Sequence, residues 1–237
     1  MSQATQPAIA VFDFDGTISD RDSFLAFIRH THGFFGLCWG FLLHLPNLIM
    51  YLLGSYPNDR FKEEIFTHFY AGKTEKELAQ AGETFCRQKL PTMIYAGAWQ
   101  QLQWHQQQEH QIIILTASSA IWLKAWCDTH HFKLIATAFA TKHGHYTGKI
   151  EGKNCYGQEK ANRLAPILAQ SPDSQVYGYG DSASDQAFLK VCDHASTLPL
   201  TSSLTGSEDH YSGLKPAQPV APLLCRAIRY AYLALFL

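Results

Sequence analysis

Apolar and polar positions alternate along the chain in blocks that predict strands and helices in turn. A short apolar run at 8–14 (AIAVFDF) is broken by Gly16 and Thr17. A second, at 112–115 (IIIL), lies between a Gln-rich polar segment at 100–111 and Thr116, and a third, at 176–179 (VYGY), ends at Gly180-Asp181. Helical spacing is found at about 98–108, 119–130, 157–170 and 184–191. Short apolar runs beside helical segments are the mark of βαβ units around a parallel sheet. The expected fold class is α/β, a Rossmann-like parallel sheet with helices on both faces. Each run also ends in a polar residue that could carry chemistry, and open α/β sheets bind ligands outside the carboxyl ends of their strands.

The block at 34–53 breaks the rhythm: twenty residues without a formal charge. Its length would fit a membrane span, but His44, Pro46 and Asn47 fall near its middle, and Pro46 disfavours helical geometry at Leu45. A bent helical pair follows, either within a helical subdomain or lying against a membrane. Charges return at Asp59-Arg60 and Lys62-Glu63-Glu64, helical patterns run to about Leu90, and Pro91 marks a boundary. Residues 20–95 therefore read as a helical insert in a core made of 1–19 and 96–205. The remainder, 206–237, reads as a polar loop and an apolar terminal helix, 227–237, with Arg226 at its edge. That helix is too short to span a bilayer alone.

Composition narrows the partners. The 237 residues carry 19 Lys+Arg against 20 Asp+Glu, so no basic surplus exists to track a phosphate backbone, and nucleic acid is not an expected partner. Six cysteines, at 38, 86, 127, 155, 192 and 225, form no C-x-x-C unit and read as reduced thiols. The first ten residues hold no Lys or Arg and no signal-like apolar region before the first strand; the expected compartment is the cytoplasm, with membrane association open.

Asp13-Phe14-Asp15-Gly16-Thr17 directly follows the first strand. Residues two apart on a strand project to one face, and two carboxylates this close repel unless a cation or shared proton relieves them. Thr116 and Ser118 end the second strand, where hydroxyls suit an anion. Lys160 sits early in a helix, and Gly180-Asp181-Ser182-Ala183-Ser184-Asp185 closes the third strand with two more carboxylates. Any one of these could be a helix cap or a solvated charge; all four in this order are hard to obtain by accident.

The ordered set resembles the haloacid dehalogenase superfamily, in its phosphatase branch. D-x-D-G-T at 13–17, Thr116, Lys160 and G-D-S-x-x-D at 180–185 carry the likeness. The stretch from Thr147-Gly148 through Asn154-Cys155-Tyr156-Gly157-Gln158-Glu159-Lys160 is similar to the pattern of subfamily IB, which includes phosphoserine phosphatases and a bacterial phosphatidylglycerophosphate phosphatase. An insert after D-x-D-G-T is similar to that family's C1 cap.

The resemblance implies a phosphomonoester hydrolase. Asp13 would be the nucleophile, forming an aspartyl-phosphate, and Asp15 the acid that protonates the leaving alcohol. Mg²⁺ would bind Asp13, the Asp15 backbone carbonyl and Asp181. Thr116, Ser118 and Lys160 would hold the phosphoryl group, with Asp185 behind Lys160. An Asp at the second motif position excludes the chloride-releasing and P-type ATPase patterns; a phosphotransferase with the same nucleophile stays open. Asp22 occupies the place where phosphoserine phosphatases present a Glu to the substrate, one methylene short, and equally suits a helix N-cap. Arg60 is a candidate for a substrate anion. The expected substrate is a small organic phosphate. The alternative is a lipid phosphate such as phosphatidylglycerophosphate, met through peripheral membrane contact by 34–53 or the C-terminal helix.

Overall fold

The computed structural model describes residues 7–197 and Leu200. The expected terminal loop and helix at 206–237 lie outside the described residues. β1 (Ile9–Phe12) is central in a five-stranded sheet whose order is β3 (Lys133–Thr137), β2 (Gln111–Ser119), β1, β6 (Val176–Tyr179), β7 (His194–Ser196). All neighbouring pairs are parallel. β4 (Phe139–Lys142) and β5 (His145–Ile150) form a separate antiparallel ribbon.

The two-residue side-chain period of a strand divides the core between the faces of the sheet. Ile9, Val11, Ile113 and Leu115 pack with Leu164 and Phe188, which belong to α7 (Gln158–Ala169) and α8 (Gln186–Leu189). Ala10, Phe12, Ile112 and Ile114 face the other side, with Leu102 of α5 (Ala96–Gln107), Trp122 of α6 (Ala120–Thr129) and the insert. Strands covered on both faces read as continuous apolar runs, which is why β1, β2 and β6 were visible in the sequence.

Between β1 and β2 stand α1 (Ser23–Leu43), α2 (Leu45–Leu52), α3 (Asn58–Tyr70) and α4 (Glu75–Gln88). α1 is kinked at Gly33, whose φ of 72° lies in the left-handed region that glycine enters without a Cβ penalty. Its first limb buries Phe24, Phe27 and Ile28; its second carries the apolar block. α1 and α2 meet at a 77° bend around His44, with Pro46 in the first turn of α2. Among the described residues no single helix is long and apolar enough to cross a membrane.

The insert is fastened to the core through polar contacts of α3. Lys62 Nζ donates to the Ala117 carbonyl (2.8 Å) and to Asn154 Oδ1 (3.0 Å). Asn154 Nδ2 donates to Asn58 and Asp59, while Glu63 accepts from the Ile150 N–H and from Lys149. A stacked pair, Phe66 on Phe139, closes the seam.

Candidate active site

The carboxyl ends of β1, β2 and β6 open into a cavity of about 390 Å³ roofed by α1, α2 and α3. Asp13, Asp15, Thr116, Ser118, Lys160 and Asp181 all line it, so the motif residues, which lie as far apart in sequence as 13 and 181, converge. β1 ends at Phe12, one residue before Asp13, and the Asp13 N–H continues the sheet by donating to the Tyr179 carbonyl at 2.8 Å.

Lys160 is buried between two carboxylates, its Nζ 2.5 Å from Asp13 Oδ1 and 2.7 Å from Asp185 Oδ1. Burial alone would lower its pKa, but Asp13 and Asp185 hold it above the ordinary lysine value. Burial pushes the Asp13 carboxyl up to about 7, the Asp185 carboxylate adds to this, and Lys160 pulls against it. Asp185 is fully occupied: Oδ1 accepts from Lys160, and Oδ2 accepts from the Ser182 N–H (2.9 Å) and hydroxyl (2.6 Å). The loop must therefore approach closely, and a Cβ on Gly180 would lie 2.6 Å from that of Asp185.

Carboxylate oxygens of Asp13, Asp181 and Asp185 lie within 4.8 Å of one another. Three buried carboxylates, two of them paired with the ammonium of Lys160, are an excess of negative charge with hard oxygen donors that fits Mg²⁺.

Asp15 is held from both sides. Its Oδ1 accepts from the Ser23 N–H (2.7 Å), and its Oδ2 accepts from the Ser118 hydroxyl (2.5 Å). Ser118, expected to face the phosphoryl group, lines the cavity with its hydroxyl on Asp15 and its N–H donating to Thr116 Oγ1 (3.0 Å). Thr116, accepting that bond, keeps its own hydroxyl proton to donate into the cavity.

The two residues singled out in the insert are placed differently. Asp22 is both a cavity wall and the N-cap of α1, accepting from the Leu25 N–H at 2.9 Å. Burial, then the Asp15 charge, pushes its carboxyl up to about 6. Arg60 is exposed and forms no part of the cavity lining. The cation of α3 that reaches the site is Lys62, two residues on and half-buried, its pKa lowered by desolvation against the pull of Asp22 and Asp15. Residues two apart on a helix do not share a face, so a reading of charges alone chose the wrong side of α3. Its signal in the sequence was the apolar frame Phe61 and Ile65 on either side of Lys62.

Above the carboxylates the wall turns apolar. Leu37 and Phe41 of α1, Leu48 and Leu52 of α2, and Phe61 and Ile65 of α3 form the upper chamber. Among the described residues nothing covers the opposite faces of α1 and α2: Phe35 is 86% exposed, Trp39 61% and Leu53 70%, with Phe34, Leu42, Leu43, Leu45, Ile49 and Met50 beside them. No Asp, Glu, Lys or Arg occurs between Arg29 and Asp59.

Residues 10–190 match the family model of the haloacid dehalogenase-like hydrolases. Protein CicA of Caulobacter vibrioides is 27% identical over 193 residues, covering 79% of this chain and 84% of that protein. Among solved structures, a protein of unknown function from Bordetella pertussis Tohama I superposes with a TM-score of 0.70 at 24% identity, over 81% of this chain and 89% of that one. A phosphoserine phosphatase carrying an analogue of its phospho-aspartyl intermediate gives 0.56 at 14% identity, over 80% and 85%. At these identities the structural likeness is one of fold.

Proposed function

The chain belongs to the haloacid dehalogenase-like hydrolases, and from that membership and the cavity's geometry we propose that it is a phosphatase of phosphomonoesters that carry an apolar tail. Asp13 Oδ attacks phosphorus, an Asp13–O–P bond forms, and the ester P–O bond breaks. Asp15 gives its proton to the departing alkoxide, then takes one from the water that attacks the aspartyl-phosphate, so that phosphate leaves and Asp13 is restored. Thr116 donates its hydroxyl to a phosphoryl oxygen, and Lys160 balances the charge that spreads over those oxygens. Mg²⁺, held by Asp13, Asp181 and the Asp15 carbonyl, would supply the positive charge that lets a carboxylate approach a phosphate dianion.

The observation that carries the substrate reading is the upper chamber. A small polar ester would not fill the apolar wall formed by Leu37, Phe41, Leu48, Leu52 and Phe61, whereas an acyl or alkyl chain gains about 0.8 kcal/mol for each CH₂ it buries there. The outer face of the same helices supports delivery from a lipid surface. A helix pair apolar all round is stable only when covered, and large exposed apolar patches mark contact sites. With no charged side chain on the block, the occupant that matches it is the acyl region just below lipid headgroups. The protein acts, on this reading, as a peripheral membrane enzyme.

The test compares phosphate release from phosphatidylglycerophosphate and lysophosphatidic acid in mixed vesicles with release from phosphoserine and glycerol 3-phosphate, all with Mg²⁺. A preference of at least about tenfold in kcat/KM for the amphiphiles is expected, since the loss of two buried methylenes already costs that much. A preference for a small polar ester would restore the small-metabolite reading.

A further inference from the structure

A hydrogen-bonded chain runs from the interior of the protein to Asp15, and its direction is set by the group at its far end. The Trp122 indole N–H donates to Ser23 Oγ at 3.0 Å. Ser23 Oγ lies 2.8 Å from Ser118 Oγ, which lies 2.5 Å from Asp15 Oδ2. An indole N–H can only donate. Ser23 Oγ has Trp122 and Ser118 as its side-chain partners, so its proton goes to Ser118; Ser118, filled as an acceptor, gives its own proton to Asp15. All three links are buried, on α6, on the first residue of α1 and on β2.

We propose that Trp122 is a positioning residue for the proton transfer: it polarises the Ser23–Ser118 chain so that the proton carried by Asp15 sits on a lone pair facing the cavity. The Ser23 N–H on Oδ1 and the Ser118 hydroxyl on Oδ2 each occupy one lone pair from the protein side, and neither can turn round to accept. The chain closes the Oδ2 side to the proton; on the Oδ1 side Ser19 Oγ stands at the limit of hydrogen-bond distance, 3.5 Å, and is committed to the Arg21 carbonyl at 2.8 Å. If Trp122 loses its N–H, the chain can reverse, with Asp15 donating to Ser118 and Ser118 to Ser23, and the acid then points its proton away from the substrate. Because Ser23 opens α1, the same chain couples the seating of the apolar roof to the acid beneath it.

The inference rests on Asp15 being the proton donor, and the experiment separates the two claims. Trp122→Phe keeps an aromatic ring against Phe24 and Phe27 (centroids 5.2 and 5.3 Å) and removes the donor together with part of the buried bicycle. Ser23→Ala breaks the same chain without touching that stack. Both are expected to lower kcat/KM about tenfold on an alkyl monophosphate, part of the 10²–10⁴ that general acid catalysis supplies. On 2,4-dinitrophenyl phosphate, whose leaving group needs no proton, kcat/KM should stay within about twofold, because it ends at phosphoryl transfer and does not contain the later water attack that also uses Asp15. Added to Asp15→Asn, either substitution should cost nothing further, since groups acting as one unit are not additive. Equal losses of kcat/KM on both esters, an additive double variant, or an unchanged kcat/KM on the alkyl ester in Ser23→Ala would overturn the role of the chain. If Asp15→Asn itself fails to separate the two esters, the assignment of Asp15 as acid is what falls, and the role of Trp122 with it.

Discussion

The floor and the roof of the cavity solve opposite problems. On the floor, the charged groups are held by named partners: buried Lys160 with Asp13 and Asp185, Asp185 with Ser182, and half-buried Asp15 with Ser23 and Ser118. Among the described residues no buried side-chain N or O atom lacks a hydrogen-bond partner. On the roof, α2 and the limb of α1 beyond Gly33 carry no charge and leave nine large apolar side chains exposed between Phe34 and Leu53. A floor of that kind acts by preorganised electrostatics and tolerates few changes; the roof is incomplete until something apolar covers it. The same helices supply both the inner wall of the cavity and its outer patch, so binding a surface and admitting a tail are two uses of one element.

The largest effect should come from the floor. Asp13→Asn is expected to lower kcat at least about a thousandfold, as removal of a nucleophile does, with the circular dichroism spectrum unchanged because the amide has the same size. Retention of a tenth of the wild-type rate on any ester would rule out Asp13 as nucleophile and leave the roof as the better-supported half of the site. Chelation of Mg²⁺ should have a comparable effect. Its pH dependence has a definite sign: the Asp13 carboxyl, held up to about 7, must lose its proton to hold the ion. Mg²⁺ affinity should therefore be flat above about pH 7 and fall about tenfold for each unit below it. Calorimetric titration of Mg²⁺ from pH 5.5 to 8.5, values chosen to bracket about 7, reads this directly. Affinity unchanged down to the lower limit would mean that Asp13 is ionised without the ion.

A middle-sized effect is expected at the roof. The triple variant Phe35→Asp, Trp39→Asp, Leu53→Asp changes only exposed positions. It should lower the rate on vesicle-held lipid phosphate by about 10–100-fold, since full burial of each such side chain contributes about 1.5–3 kcal/mol. On a soluble short-chain phosphate the rate should stay within about twofold, because exposed substitutions away from packed features change stability little. Equal losses on both substrates would erase the distinction between floor and roof.

How much of this was legible follows the same divide. Asp13, Asp15, Thr116, Lys160 and Asp181 could be read because each stands at the end of a strand buried on both faces or early in the next helix, where apolar runs make the position plain. β3 and β7 could not be, being short edge strands of mixed polarity (KLIAT and HAS), nor could the β4–β5 ribbon, whose turn at His143-Gly144 has no long apolar flank. Ser118 was placed at the site, but its bond to Asp15 was not legible, since its distance from Asp15 depends on how β2 lies beside β1. Lys62 was hidden in the run Lys62-Glu63-Glu64, which reads as a solvated face; only the docking of α3 on Asn154 and Ala117 half-buries the first of the three. The break near Pro46 was legible from a local rule. That the outer face of the pair would stay uncovered was not, because exposure is a property of the whole assembly.

The smallest expected effect discriminates most between the two regions. Docking by the roof, with no Asp, Glu, Lys or Arg from 30 to 58, should respond little to ionic strength. On zwitterionic phosphatidylcholine vesicles, association should change by less than about twofold between 0.05 and 0.5 M NaCl, because screening acts on charges and leaves apolar burial almost untouched. Mg²⁺ binding at the floor should weaken over the same range, since it depends on opposite charges meeting from solution. Two outcomes would break the comparison. A severalfold loss of vesicle binding with salt would show that cations elsewhere in the chain do the docking. A requirement for anionic lipid would show the same, and would move membrane recognition from the uncovered faces of α1 and α2 to residues that the apolar block does not contain.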